Sequence, residues 1–433
     1  LIFYSRIQKL FFAFALCSLS MAHAQMTDPT AQGPSNFRPY LAVVVKQHPT
    51  VQAGLSQIES ARKDVEGARW QFLPTPSISA EKSDKTIGGL TDTSRTIARL
   101  QQPLWTGGRL TAQLDKAQAQ ETVVSLILEE QRLTLSTRWL QLWAEVQAAQ
   151  LKEEAYSESE AQHRKYVQQV QNRAKEGHAP HSDVQLSLTR LAAVQAELEQ
   201  TRTQKRQAVS RLEQMYGGQL PAIRWTAPLH ADSATPSLAQ KTALEWLTQI
   251  EDQHPTLKKA AAVTRTVRAD LELAKAKASP ELYVRGEVMD GDISRTTRQI
   301  YVGVASNFGA GLSSLSTIAA AQAKLDSQEH ETATRRREIA EQVLADAESL
   351  QSQTQRLRFL EQAYSSADDF LQASERQFTA GRRSWQELMN SAREKAQTLT
   401  QLADARAIRW LAQEKLNLLS LGVDSYLGSN VNP

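Results

Sequence analysis

Few residues in this chain are placed to make or break bonds. His178 and His181 stand three apart in AKEGHAPHSDVQL. That spacing can bring two imidazoles to one ion, but no third ligand of matching pattern accompanies them, and a metal site needs one. The HExxH arrangement of a zinc peptidase does not occur. Gly107-Gly108 lacks the Lys-Ser/Thr that would turn a glycine-rich turn into a phosphate cradle. The one cysteine, Cys17, lies near the N-terminus, so the rest of the chain carries neither a disulfide nor a thiol site. The residues predict no enzyme, no cofactor and no metal. The charged residues of AKEGHAPHSDVQL and FTAGRRSWQEL offer hydrogen bonding and ion pairing instead, and the elements around these two phrases decide what those could do.

Composition narrows the class. Of 433 residues, 22% are charged and 6% aromatic, with a formal net charge of +3. That is no basic footprint for nucleic acid. Arg6 and Lys9 precede the apolar run LFFAFALCSLSMA, and Ala22-His23-Ala24 fits a small-x-small cleavage site. Residues 1–24 are therefore expected to be an export signal, too short in its apolar core to span a membrane. No later run of apolar residues is long enough to span as a helix. The mature chain either stays soluble outside the cytoplasm or crosses a membrane as strands.

The chain is written twice. His48-Pro49-Thr50 returns as His254-Pro255-Thr256, 206 residues on. Gly177, closing AKEG, returns as Gly381, closing FTAG, 204 on, and Trp105-Thr-Gly-Gly108 is echoed by Phe308-Gly-Ala-Gly311, 203 on. Three landmarks in one order at nearly one offset mark a duplication. The expected organisation is a first repeat over 25–216, a linker or equatorial segment over 217–250, a second repeat over 251–422 and a tail over 423–433.

Each repeat predicts a helix after HPT (51–70 and 257–278), a pair of strands, and a very long helical hairpin. In the second repeat Leu282, Val284 and Val288 share one face, and Tyr283, Arg285 and Glu287 the other. The partner strand puts Ile300, Val302 and Val304 on one face and Gln299, Tyr301 and Gly303 on the other, with Asp290-Gly291-Asp292 in the turn. Residues 77–82 and 93–101 play these parts around Gly88-Gly89, with weaker alternation. QPLWTGGR (102–109) then ends the strands, and neither glycine nor proline occurs from Arg109 to Arg173 or from Ser313 to Ala380. At ~1.5 Å per residue each helix is on the order of 100 Å long. Val343, Leu350, Leu357, Tyr364, Leu371 and Phe378 recur every seven residues, a seam for helix packing. Gly177 and Gly381 suit left-handed C-caps at the tips. Ser182 with Gln185, and Ser384 with Glu387, predict capping boxes for the return helices.

Four strands with one apolar face cannot stand alone in lipid, because their edges carry unpaired backbone groups. Several copies must share one barrel if these strands span.

With these features the chain resembles the TolC-like outer-membrane efflux and secretion factors. The resemblance rests on the paired HPT-like starts, Gln102-Pro103-Leu104-Trp105-x-Gly107-Gly108-Arg109, and the glycine tips in both halves. It implies a mainly α fold with a small β part: a homotrimer with a twelve-stranded barrel in the outer membrane and a helical tunnel through the periplasm. It implies a conduit that works with a periplasmic adaptor and an inner-membrane ABC or RND transporter, and touches outer-membrane lipid. The wording of RWQFLPTPS, QPLWTGGR, SNFGAGLSSLS and AGRRSWQEL is most similar to the branch that secretes large adhesins by the type I route. Drug or metal efflux and a periplasmic coiled-coil scaffold remain the alternatives. On this resemblance Trp105, with Phe308 as repeat partner and Gly107 and Gly108 re-aiming the chain, marks the barrel–tunnel junction. Trp70 and Phe72 are further candidates for its interfacial girdle. The periplasmic gate falls on Asp183 and Arg383, with Arg382 as a substitute and Phe378 where the family uses tyrosine. Glu387 falls on an acidic entrance ring, whose second member is replaced by Asn390.

Overall fold

The computed structural model describes residues 37–83, 93–220, 241–291, 294–306 and 309–428. The export-signal region, the Gly88-Gly89 turn, Phe308 and most of the inter-repeat segment lie outside the described residues.

The molecule is organised around two helices of 67 residues each, α3 (Arg109–Lys175) and α7 (Ser313–Thr379). Both run through the glycine- and proline-free stretches, where nothing interrupts the i to i−4 ladder. Each is flanked twice. Near the strands, α2 (Pro49–Trp70) packs on α3, and α6 (Pro255–Lys277) packs on both α3 and α7. Toward the tips, α4 (His181–Tyr216) packs on α3, and α8 (Trp385–Leu421) packs on both long helices. The lateral order is thus α2-α3-α6-α7 at one end and α4-α3-α8-α7 at the other. Of the expected seam, Val343, Leu350, Leu357, Leu371 and Phe378 are buried, and Tyr364 is half-buried.

The short helices α1 (Arg38–Gln47), α5 (Ala243–Glu251) and α9 (Val423–Leu427) gather at the middle, where the flanking helices meet. Here lies the largest core. Trp139, Leu140, Leu212, Trp246, Ile250 and Leu416 are essentially excluded from solvent, and Phe37 meets Trp410 edge-on at 5.4 Å. Truncating one of these tryptophans to alanine would cost about 3–5 kcal/mol.

The repeat marker HPT has a structural cause. His48 and His254 are N-caps, each accepting through Nδ1 from the Thr two residues on, at 3.3 and 3.2 Å, with Pro at the first helical position. The helices therefore start at Pro49 and Pro255, two residues before the positions read from periodicity.

β1 (Thr75–Ser83), β2 (Thr93–Trp105), β3 (Glu281–Gly291) and β4 (Ser294–Ala305) form one antiparallel sheet in that order, so β2 and β3 join the repeats. β1 and β4 are left as edges. Register sorts the faces as the alternation predicts: Val284 lies opposite Val302 and Leu282 opposite Val304, while Tyr283 lies opposite Gly303 and Arg285 opposite Tyr301. β2 runs four residues further than expected, through Pro103 to Trp105, with an irregularity in its pairing between those two.

Candidate functional site: helical tips and strand wall

The sheet is inside out by the standards of a soluble protein. Ile78 and Ile300 are 80% and 81% exposed, and Val302 and Val304 are exposed with them. On the opposite face Ile97 and Glu287 are buried, and the carboxylate of Glu287 accepts from Arg99 Nε at 2.8 Å and forms an ion pair with Arg285, whose Nε lies 3.0 Å away without a hydrogen bond. An apolar face turned outward over a polar inner one is the pattern of a wall between lipid and water. No helix among the described residues is long and apolar enough to cross a membrane.

At the foot of the sheet the chain re-aims. Gly107 and Gly108 both have positive φ, +59° and +88°. A Cβ on Gly107 would stand 2.2 Å from that of Ser279, so only glycine fits there. Arg109, the first residue of α3, pairs with Glu281 at the start of β3, tying the two repeats at this junction. Trp105 and Trp70 are more than half exposed, and Phe72 also shows its ring to the surroundings. In the second repeat Gly309, Gly311 and the N-cap of α7, Leu312, have positive φ.

At the other end both tips turn through left-handed glycines, Gly177 (+77°) and Gly381 (+72°). His178 N–H reaches back to Arg173 O and Arg382 N–H to Gln377 O, the six-to-one bonds of a Schellman end. Ser182 does not cap α4. Pro180, extended at ψ 156°, takes the N-cap position and His181 the first helical one, so Ser182 falls inside the first turn. Ser384 does cap α8, accepting from Glu387 N at 3.3 Å, but the box is only half closed, because the Glu387 carboxylate takes Arg383 Nε at 3.1 Å.

Of the expected gate residues, the single chain brings Arg383 and Glu387 together and leaves Asp183 apart. Arg383 also donates to Ser374 Oγ at 2.5 Å and lies 4.6 Å from the Phe370 ring centroid. No ion pair or hydrogen bond joins Asp183 to Arg383 among the described residues. Phe378 is buried at the centre of the tip core with Tyr166, Val170, Leu371, Trp385 and Leu388.

What does bridge the hairpins lies elsewhere. Arg173 of α3 donates to Phe378 O at 2.9 Å with its guanidinium over the phenyl ring. The Tyr166 hydroxyl donates to Glu375, and burial together with that carboxylate pushes the phenol well above its ordinary range. One level higher, Lys395 of α8 holds Glu158 of α3 and Asp368 of α7, both at 2.7 Å. Burial alone would lower its ammonium, but the bonds to Asp368 and Glu158 outweigh burial and hold it above the usual lysine range. Its bond holds Asp368 below the usual carboxylate range. His163, buried and donating from Nδ1 to Ser159 O at 2.8 Å, is pushed down by burial.

Comparison with known proteins agrees with this geometry. Residues 42–218 match the family described as outer membrane efflux protein. The outer-membrane channel OprN superposes with a TM-score of 0.77 at 17% identity, over 89% of this chain and 90% of its own. VceC of Vibrio cholerae gives 0.76 at 13%, over 89% and 96%. The open state of the Neisseria gonorrhoeae MtrE channel gives 0.75 at 13%, over 89% and 88%. The chain shares the fold of these outer-membrane channels. No curated protein sequence matches it.

The tip aromatic of this chain is a phenylalanine without a hydroxyl, and an arginine from the opposite hairpin covers it. Sequence reasoning missed Arg173, Tyr166 and Lys395 because each acts across 205 to 237 residues of chain. The available signal was heptad phase, since Tyr166, Val170 and Arg173 share one stripe of α3 facing the Phe378 seam.

Proposed function

We propose that the chain is the outer-membrane conduit of a tripartite exporter: a homotrimer whose three sheets close one twelve-stranded barrel, with the helical hairpins forming a tunnel into the periplasm. The observation that carries this reading is the inverted sheet with two open edges. β1 and β4 can meet only on neighbouring copies, and closure removes every unpaired edge from lipid. Nothing in the site suggests catalysis, so energy and substrate choice belong to partners, an inner-membrane transporter and a periplasmic adaptor gripping the grooves between hairpins.

The tips are the gate. Within one chain the hairpins are clasped by Arg173–Phe378 and Tyr166–Glu375. Asp183, on the edge helix α4, and Arg382, exposed beyond Gly381, extend this clasp to the adjacent copy, with Arg383 holding Glu387 at the entrance. The cargo reading is type I secretion of an adhesin, supported by the similarity of the junction and tip phrases to that branch. The match to an efflux family supports the second reading, a small-molecule efflux channel.

The test is fractionation of cells expressing the full chain. The reading expects outer-membrane protein that migrates as a trimer unless boiled. A monomer in the soluble periplasmic fraction would favour the coiled-coil scaffold.

A further inference from the structure

The inner face of the sheet, together with the Arg109 that reaches it from α3, carries one more arginine than acid among the described side chains. Among the described side chains that share this face, Arg95, Arg99 and Arg285 stand against Glu81, Glu281 and Glu287, and Glu281 is already taken by Arg109 from the start of α3. Arg95 and Glu81 neutralise each other at 2.6 Å. Glu287 is buried and serves both Arg99 and Arg285. Two guanidiniums therefore share one carboxylate, and one positive charge per chain is left over.

The two arginines differ from their carboxylate in exposure: their side chains are 38% and 31% exposed, that of Glu287 only 8%. The acid is the hidden member and the cations face the space the sheet encloses. Arg285 is also held between two rings, 5.7 Å from the Tyr283 centroid and 5.2 Å from that of Tyr301. Gly303 makes room for this arrangement, since a Cβ there would meet the Tyr283 hydroxyl at 2.6 Å. A guanidinium fixed by rings and a buried carboxylate keeps its charge and its place while ions pass.

We propose that Arg99 and Arg285 form an anion-selecting girdle in the barrel lumen, which draws small anions and the carboxylate-bearing parts of a passing substrate through the outer-membrane end of the conduit. The proposal rests on the trimeric conduit reading above. Closure repeats the excess charge three times around one water-filled passage with low-dielectric walls, where rings of like charge set ion preference. The tip does not oppose this strongly, because Arg383 already pairs with Glu387.

The experiment is the reversal potential of the purified full-length mature protein in planar bilayers under a KCl gradient, at low ionic strength where screening is weak. Glu387→Gln serves as the background, so that the barrel is read without the entrance carboxylate. In that background Arg285→Gln should lower the chloride-to-potassium permeability ratio several-fold, Glu287→Gln should raise it, and Arg285→Lys should leave it near the starting value. Glu287→Gln removes a charge without removing an arginine, and so reads the girdle even where Arg285→Gln assembles poorly. Channels of normal conductance whose reversal potential ignores both Gln variants would reduce the cluster to a tie between β2 and β3. Protein that forms no channels in any variant would overturn the conduit reading, and this proposal with it.

Discussion

Arg173 and Phe378, 205 residues apart in sequence, meet at the tip: the guanidinium lies 4.0 Å from the ring centroid and donates to the same residue's carbonyl at 2.9 Å. The carbonyl belongs to the last turn of α7, where a cation is favourably placed against the helix dipole. One side chain thus joins the end of the second hairpin to the first. Arg173→Met should remove about 1–2 kcal/mol of tip cohesion. Its expected signs are a larger single-channel conductance and faster tryptic cutting after Arg382, compared with the unmutated trimer. An unchanged rate of cutting would remove Arg173 from the clasp.

Lys395 holds three helices at once. Lys395→Met would leave Asp368 and Glu158 facing each other's field without a cation. The cost should fall between the ~1 kcal/mol of an exposed pair and the ~3–5 kcal/mol of a fully buried one. Because the ammonium is raised, its contribution is complete below the ordinary lysine range near ~10.4 and fades only as pH climbs through the raised value. Because Asp368 is lowered, its share is present above ~3.9 and is lost as pH falls through the lowered value. The trimer's heat-dissociation midpoint, followed from pH 3 upward, should lose its acid limb partly in Lys395→Met.

His254 caps α6 through a neutral imidazole, accepting at Nδ1. Burial pushes it below the ordinary histidine range, against a smaller opposing pull from Glu130. A lowered histidine contributes stability above ~6.5, which is lost as pH falls through the lowered value, since protonation converts the acceptor into a donor. His254→Asn keeps a capping acceptor and cannot titrate. Thermal stability between pH 5 and 7 should be flatter in this variant, and an identical slope would place the titration elsewhere, with His163 the next buried imidazole.

The turn glycines are not equivalent. Gly177 has open space around the missing Cβ, so Gly177→Ala should cost only the ~1–2 kcal/mol of a left-handed alanine. Gly107 combines positive φ with a Cβ position inside Ser279, so Gly107→Ala must also move the end of α6. The yield of heat-modifiable trimer should fall sharply for Gly107→Ala and little for Gly177→Ala.

Local rules reached most of the fold. Alternation put Val302 and Tyr301 on opposite faces, the absence of glycine and proline gave both 67-residue helices, and Gly177 and Gly381 announced their turns. The duplication was legible through HPT, although its cause, a histidine cap, needed coordinates. Ser182 misled because a capping box is a pattern of types, and the extended Pro180 starts the helix earlier. The tip contacts were less legible. Arg383 meets Ser374 and Phe370 on its own hairpin, and which of several charged tip residues pair depends on the phase of two helices whose registers are set by packing far above. Arg173 and Tyr166 look like ordinary solvated helix residues until α8 and α7 are laid beside them.

The central claim is a gated conduit, and planar-bilayer recording of the purified mature protein beside Arg383→Ala tests it most directly. A gated conduit gives discrete small channels in the unmutated protein and larger ones in the variant, where Glu387 and Ser374 lose their common partner. A folded protein that forms no channels under any condition would contradict it.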